Sequence, residues 1–317
     1  MGALIRLGLI ALVVAIAVTF RSRFGDIAGA LQTAGWAALA AVSAFHLLPM
    51  ALCGLAWGSL TAGNRPVAFI MARWVRDGVS DLASFLPLAG EMAGARVLSC
   101  LGVRPALAGG LMVVDVTAEV LAQFVFSVLG VALWLARQPA GDVARSALWG
   151  LGLSVPVLLA FVLIQRSTIV RFLETLPSRL MPQTWRAPAE GAGIHAAIAA
   201  LWTDHRRVGQ AVLIHLAAWA VSTGEAWLAL GLLHRPLPLA DVLAMESIVF
   251  AVNSAAFFVP GALGVQEGSY LLLGAALGLP PEAALAVSLL KRGRALCLGL
   301  PALAAWHRLE QRSAKSA

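Results

Sequence analysis

The stretch FFVPGALGVQEGSYLLLGAALGL, residues 257–279, decides the fold because it is apolar enough for a membrane yet interrupts its own helix. Its middle carries a proline, several glycines, a glutamine and Glu267. Backbone groups freed by such a break are tolerated at membrane depth only where protein or a water-filled cavity satisfies them. The stretch therefore predicts a broken helix that places Glu267 beside a polar cavity within a membrane.

The composition of the whole chain fits that environment. Of 317 residues, 60% are hydrophobic and 12% charged, and the mean hydropathy is +0.85, whereas soluble domains are about half apolar and a quarter charged. The cationic residues behind the net charge of +7 are scattered over short loops. This distribution indicates residues that set the membrane topology and contact lipid headgroups, rather than a nucleic-acid-binding surface. We expect an all-α polytopic membrane protein with one integral domain, residues 1–317.

Apolar segments long enough to cross a bilayer predict about six transmembrane helices. Two further apolar stretches, 67–100 and 241–280, are interrupted by LPLAGEMAG and VPGALGVQEG, and each is predicted to be a re-entrant helical hairpin. The six predicted spans are 3–20, 33–60, 106–136, 146–165, 208–233 and 283–306.

Cationic residues give this topology a direction. They are more numerous at one set of segment ends, which include Arg65, Arg73 and Arg76 and the arginine-rich segment 166–207, than in the opposite loops. Positive charge is enriched on the cytoplasmic side. We therefore expect a protein of a bacterial inner membrane with both termini in the cytoplasm. The segment 166–207 is expected to include an amphipathic helix on the inner leaflet.

The second half of the chain also repeats features of the first. A single alignment without gaps, called the repeat alignment below, places Glu91 on Glu267 and Pro105 on Pro281. In the predicted topology the two hairpins open to opposite sides, so residues 1–136 and 146–306 would form an inverted 3+3 repeat. Interrupted segments at corresponding positions of two halves point to a transporter's binding site.

The last predicted span carries Lys291, Arg292 and Arg294, each of which costs about 2.5–3.5 kcal/mol at a helix centre. They need partners, and the repeat alignment places Asp115, with Glu119 one turn further on, at the position of Lys291. Two interpretations stay open: an ion-pair lock between the repeats, or the wall of a cavity whose arginines hold a phosphate.

Polar residues around the two breaks extend the candidate site. Glu91 and Glu267 are expected either to act as proton-linked gates or to accept hydrogen bonds from amides at the hairpin tips. Asn253 and Gln266 are further candidates for the cavity. The three cysteines lack metal-ligand spacing, and no nucleotide loop or nucleophile motif is present, so no metal, cofactor or catalytic residue is predicted.

The run PGALGVQEGSYLLLGAALGLPPEAALAVSLLKRGRAL resembles the flippase-like membrane domain family typified by the transmembrane part of lysylphosphatidylglycerol synthases. LPLAGEMAGARVL resembles the first-half counterpart, and GVQEG followed by LLKR is similar to the hopanoid-associated HpnL proteins. The resemblance implies lipid translocation, and it gives a substrate-binding role to Pro87, Gly90, Glu91, Pro260, Gly261, Gly264, Glu267, and Arg292 or Arg294.

The expected function is a lipid flippase that moves a hopanoid, a hopanoid precursor or an anionic phospholipid between leaflets. No aminoacyltransferase domain follows the sixth predicted span, so we expect no synthase activity. The lack of a recognisable nucleophile or metal set argues against another enzyme activity. The alternative is a non-transporting scaffold that holds lipid-modifying enzymes at the membrane through 166–207. The partners are membrane lipids in the first case and lipid-biosynthesis enzymes in the second, and the sequence leaves the oligomeric state open.

Overall fold

The computed structural model describes residues 24–63, 65–84, 86, 88–137, 152, 191–256, 259 and 262–316. Every regular element within these residues is a helix, which confirms the all-α class. The predicted spans 3–20 and 146–165 and most of the segment 166–207 lie outside the described residues.

The helices of the described part follow the order predicted from the apolar segments, with α1 broken at Gly35, whose φ is 80°. They are α1 Phe24–Ser59, α2 Pro66–Leu82, α3 Ala89–Cys100, α4 Pro105–Arg137, α5 Gly191–Thr203, α6 His205–Leu232, α7 Leu239–Ala255, α8 Val265–Ala276 and α9 Pro281–Ser316.

Three of the helices are long and apolar enough to cross a membrane: Gly35–Ser59 within α1, and the whole of α4 and α6. They coincide with the predicted spans 33–60, 106–136 and 208–233 to within a few residues. The predicted span 283–306 lies within α9, which is not among the three and whose apolar run is interrupted by Lys291, Arg292 and Arg294.

Both interrupted stretches are broken helices, as predicted. The first ends at Leu82 and resumes at Ala89, and the second ends at Ala255 and resumes at Val265. The residues that precede the resumed helices, Leu88 and Gly264, have φ angles of 65° and 81°. These positive φ angles turn the chain out of the preceding helical direction, so each pair of helices can fold into a hairpin.

The helix boundaries recur under the repeat alignment. That alignment places α3 on α8, both 12 residues long, and places Pro105, the first residue of α4, on Pro281, the first residue of α9. Gly102 and Gly278, between these helices, have φ angles of 88° and 76°. The two halves therefore share the same local architecture: broken helix, short helix, left-handed glycine and proline-initiated long helix.

Two apolar cores are joined by the long helices. One core contains Trp57, much of α2 and α3, and the first part of α4. The other contains the end of α4, the end of α6, and α7, α8 and α9. Along α4 and α6, buried polar residues lie between the two sets of core residues. The fold thus places buried polar side chains midway along these two long helices.

Candidate functional site

A cavity of about 340 Å³ lies at this midpoint. Its wall, called the cavity wall below, is formed by α1, α2, α4, α6, α7, α8 and α9, and thus by both halves of the chain. Six of the predicted site residues belong to the cavity wall: Glu119, Asn253, Gln266, Lys291, Arg292 and Arg294.

Lys291 of α9 is held by a buried carboxylate on α7. Its Nζ contacts Glu246, which is fully buried and also accepts a hydrogen bond from the hydroxyl of Tyr270. The ammonium lies 4.9 Å from the ring centre of Phe250 and 5.6 Å from that of Tyr270, close enough for cation–π attraction. Charge pairing and aromatic contact together make a buried lysine tolerable here.

Arg292 of α9 binds the predicted residue Glu267. Its Nε donates to Glu267 Oε1 at 3.0 Å, and Nη2 donates to the carbonyl of Ala262 at 3.3 Å. Glu267 Oε2 accepts a hydrogen bond from the N–H of Gly264 at 2.8 Å, so the carboxylate also caps the first turn of α8. The sequence leaves two roles open for Glu267, a proton-linked gate or an acceptor for amides at the hairpin tip. These contacts favour the second role, which is structural.

Arg294 of α9 binds a carboxylate on α6. Its Nη1 lies 2.9 Å from Glu225 Oε2, and the ring of His46 contacts both side chains. Glu225 is 1% exposed. Three helices, α1, α6 and α9, therefore meet through one charged group, in a contact that connects distant parts of the chain.

A second charged cluster surrounds Glu119 on α4. Its carboxylate accepts from Arg73 in bidentate geometry, at 2.6 and 3.0 Å, and from Arg76 at 2.8 Å. Arg76 also lies 3.3 Å from Glu91 and 3.4 Å from Asp115. Bidentate arginine–carboxylate pairs are among the stronger polar contacts in proteins, so this cluster ties α2 and α3 to α4.

The predicted acidic turn on α4 and basic turn on α9 do not pair with each other. Asp115 accepts from Arg76 and contacts the ring of His215 at 2.9 Å, while Lys291 pairs with Glu246. The reason lies in the repeat: the repeat alignment identifies equivalent positions in two halves, and equivalent positions need not be neighbours in space.

Arg73 and Arg76, which the sequence places at a segment end, are buried among the helices of the described part. They are 8% and 7% exposed and lie on the buried face of α2. Arg73 lines the cavity together with Asp77, Ser80, Asp81 and Ser84. On α2, Arg73, Asp77, Ser80 and Asp81 follow an i, i+4, i+7, i+8 spacing, which is the sequence signal that could have found this polar face.

Other residues of the site stand singly within apolar segments of the sequence, a pattern typical of interhelical contacts. They are His46, Glu225 and Glu246, each of which neutralises or contacts a cation of α9, and His215, which contacts Asp115. Their partners lie on other helices, so spacing along the chain carries no signal for them. Only the presence of cations within the apolar run of α9 indicated that buried carboxylates had to exist.

The predicted glycines that lie within the described residues allow a backbone turn or a close helix contact. Gly264 precedes α8 at a φ of 81°. Gly90 lies where α3 touches α2, and a Cβ atom on it would be 2.0 Å from Ser80 Oγ. Pro87, Pro260 and Gly261 lie outside the described residues.

Replacing Gly90 with alanine is expected to destabilise the protein by about 1–3 kcal/mol, as overpacking does, because the new Cβ would also lie 2.5 Å from the carbonyl oxygen of Arg76. The matched control is Gly268→Ala on α8, whose Cβ would have nothing within 4 Å. Unfolding in detergent, followed by tryptophan fluorescence, compares the two. Equal stability of both variants would mean that α2 and α3 do not touch at Gly90.

Several buried polar atoms of the cavity wall have no hydrogen-bond partner among the described residues. They include Nε of Arg294, Oε1 of Glu225 and Oδ1 of Asn253. Buried polar groups are usually satisfied by protein or by water. These atoms, one donor and two acceptors, belong to side chains that line one cavity, where a polar ligand or ordered water would complete their hydrogen bonds.

One group of side chains has the composition of a metal site: Cys53, Glu119 and His215, whose ligand atoms lie within 4.8 Å of one another. However, both oxygens of Glu119 already accept from the guanidinium groups of Arg73 and Arg76. Two fixed positive charges beside the carboxylate oppose a further cation, so this group fits an ion-pair cluster better than a metal centre.

The helices and the buried polar cavity define a multi-spanning membrane protein with a charged interior. Residues 4–302 match the family model of the lysylphosphatidylglycerol synthase TM region. The chain belongs to this family, and its connection to membrane lipids agrees with the resemblance drawn from residues 257–296. No significant match was found among curated proteins or among solved structures.

Proposed function

We propose that the protein is a flippase that moves a polar-headed lipid between the leaflets of a bacterial inner membrane. The observation that carries the proposal is the cavity of about 340 Å³ midway along the long helices, with unsatisfied polar atoms on Arg294, Glu225 and Asn253. A polar headgroup at mid-membrane needs hydrogen-bond partners that hydrocarbon cannot supply.

The proposed path passes between the two broken helices. We propose that each is a re-entrant hairpin, that the halves 1–136 and 146–306 are inverted repeats, and that six spans leave both termini in the cytoplasm. The recurrence of helix boundaries under the repeat alignment supports this arrangement. In such repeats, alternating access arises when one half rocks against the other around a central site.

Headgroup binding in this cavity works by exchange of partners. Every arginine and lysine of the cavity wall, namely Arg73, Lys291, Arg292 and Arg294, already contacts a carboxylate. A phosphate or hydroxyl therefore gains a donor such as Arg294 by weakening its contact with Glu225. This exchange keeps the empty cavity neutralised and links ligand binding to the contacts that join the helices.

The test is translocation of headgroup-labelled lipids in proteoliposomes, with a panel of phospholipids and a hopanoid. Arg294→Leu and Glu267→Gln are expected to slow translocation at least tenfold. Glu282→Gln, at an exposed carboxylate at the start of α9, serves as the matched control and should leave the rate unchanged.

The panel also names the lipid, since a hopanoid, its precursor and an anionic phospholipid are all candidates. If correctly folded protein moves none of these lipids, the flippase proposal fails. The non-transporting scaffold would then be the better explanation, and charge reversal within 166–207 should abolish its function while changes in the cavity wall should not.

A further inference from the structure

The charged groups in and around the cavity do not balance. Among the described residues the carboxylates outnumber the arginine and lysine side chains by three, and two histidines lie among them. The carboxylates are Asp77, Asp81, Glu91, Asp115, Glu119, Glu225, Glu246 and Glu267, and the cations are Arg73, Arg76, Lys291, Arg292 and Arg294. Even if His46 and His215 were both protonated, one negative charge would remain.

That remaining charge belongs to Asp81. Each of the other seven carboxylates contacts at least one arginine or lysine, or, for Asp115, both Arg76 and His215. Asp81 lines the cavity and has no hydrogen bond or ion pair to any other described residue. Asp81 is exposed at the cavity wall, so water in the cavity reaches it.

We propose that Asp81 is the carboxylate of this cavity that takes up and releases a proton during lipid transport, an inference that rests on the proposed flippase function. A proton from cavity water adds to a carboxylate oxygen and gives the neutral acid, and loss of that proton restores the charge. This assigns to Asp81 the role that the sequence offers to Glu91 and Glu267, both of which are engaged by guanidinium groups.

Some groups around Asp81 favour its protonated form, and others favour its charged form. On its own helix, Asp77 lies one turn away on the same face, and like charges at this spacing favour a shared proton. Asp81 is also in the last turn of α2, where unpaired carbonyls add negative potential. On the facing helices, His46 of α1 and Arg292 and Arg294 of α9 line the same cavity and favour the charged form.

The opposing cations are already partly neutralised. Arg292 is paired with Glu267, and Arg294 with Glu225; Arg73, on α2 itself, is paired with Asp77 and Glu119, and Glu91 of α3 with Arg76. When a phosphate headgroup displaces one of these carboxylates, the cavity gains negative charge. A proton on Asp81 offsets that gain, so proton and anionic headgroup favour each other's binding.

The first test does not depend on transport. The O–H of a protonated carboxyl group adds across a C=N bond of dicyclohexylcarbodiimide to give an O-acylisourea. Acyl transfer from oxygen to nitrogen then leaves a stable N-acylurea that peptide mass spectrometry can locate. In full-length protein in lipid nanodiscs, we expect labelling at Asp81 to rise as pH falls, with Glu246 and Glu225 unlabelled. Asp81→Asn should lose the label. Labelling of Glu267 or Glu91 in place of Asp81, or no label at Asp81 at any pH, would overturn the proposal.

The second test uses proteoliposomes with an imposed pH gradient. Native protein should move lipid at least threefold faster with the gradient than without it, Glu282→Gln should behave the same way, and Asp81→Asn should lose the stimulation. A rate that follows sodium at constant pH would replace the proton by a metal cation and overturn the assignment. If native protein moves no lipid at all, the flippase proposal fails, while the labelling result still decides whether Asp81 binds a proton.

Discussion

Replacing Lys291 with methionine is expected to lower the free energy of unfolding by about 3–5 kcal/mol, as loss of one partner of a buried ion pair does. The partner, Glu246, is 0% exposed, so no solvent can compensate its charge. The hydroxyl of Tyr270 would remain as a donor to the carboxylate, but one neutral donor replaces little of the lost ammonium. Unfolding in detergent, followed by tryptophan fluorescence, measures the change.

The control is the double variant Lys291→Met with Glu246→Gln. Removing both charges leaves no isolated ion in the core, so we expect it to recover most of the loss, as replacement of whole buried pairs often does. A double variant as unstable as the single one would show that the pair itself does not set the cost. Transport by the double variant then separates the two interpretations of Lys291. An ion-pair lock tolerates replacement of both partners by neutral side chains, whereas a group that binds the headgroup does not.

Replacing Glu119 with glutamine is expected to cost about 3–5 kcal/mol, again because buried charges lose their partner. Glu119 accepts from both Arg73 and Arg76, and a glutamine oxygen can accept from them but cannot neutralise them. Asp77, Asp115 and Glu91 remain close to these arginines and keep the loss from becoming larger. The same unfolding measurement applies.

Glu282→Gln is the matched control for Glu119→Gln, because it makes the same chemical change on an exposed side chain at the start of α9. Surface substitutions of this kind change stability by less than about 0.5 kcal/mol. If Glu119→Gln changed the free energy of unfolding as little, the two guanidinium groups would not depend on this carboxylate. The charged cluster around Glu119 would then contribute little to holding α2 against α4.

Much of the fold follows from local signals in the sequence. Uninterrupted apolar runs predicted α1, α4 and α6, and the proline and glycine clusters predicted the breaks before α3 and α8. These features depend on residues a few positions apart, so a single chain reveals them. The repeat alignment, drawn from Glu91, Glu267 and the residues that follow them, even matched the ends of α3 with those of α8.

The candidate site was predictable only in part, because its contacts are not local. The cations of α9 could be identified from sequence since they interrupt an apolar run, but their partners Glu246 and Glu225 are 45 and 69 residues away. Arg73 and Arg76 were counted with the cations of a segment end, since nothing along the chain shows that their face of α2 is covered. The distinction requires knowing which helices cover α2, and that information is tertiary.

The short helices α3 and α8 have a consequence for the surrounding bilayer. Each has 12 residues, and at a rise of 1.5 Å per residue such a helix extends about 18 Å. The hydrocarbon layer is about 30 Å thick, so neither helix can match it alone. The bilayer beside them must thin, or longer neighbouring helices must cover them. If the protein is the proposed flippase, we expect faster transport in bilayers of reduced hydrophobic thickness, where a headgroup also has the shortest distance to cross.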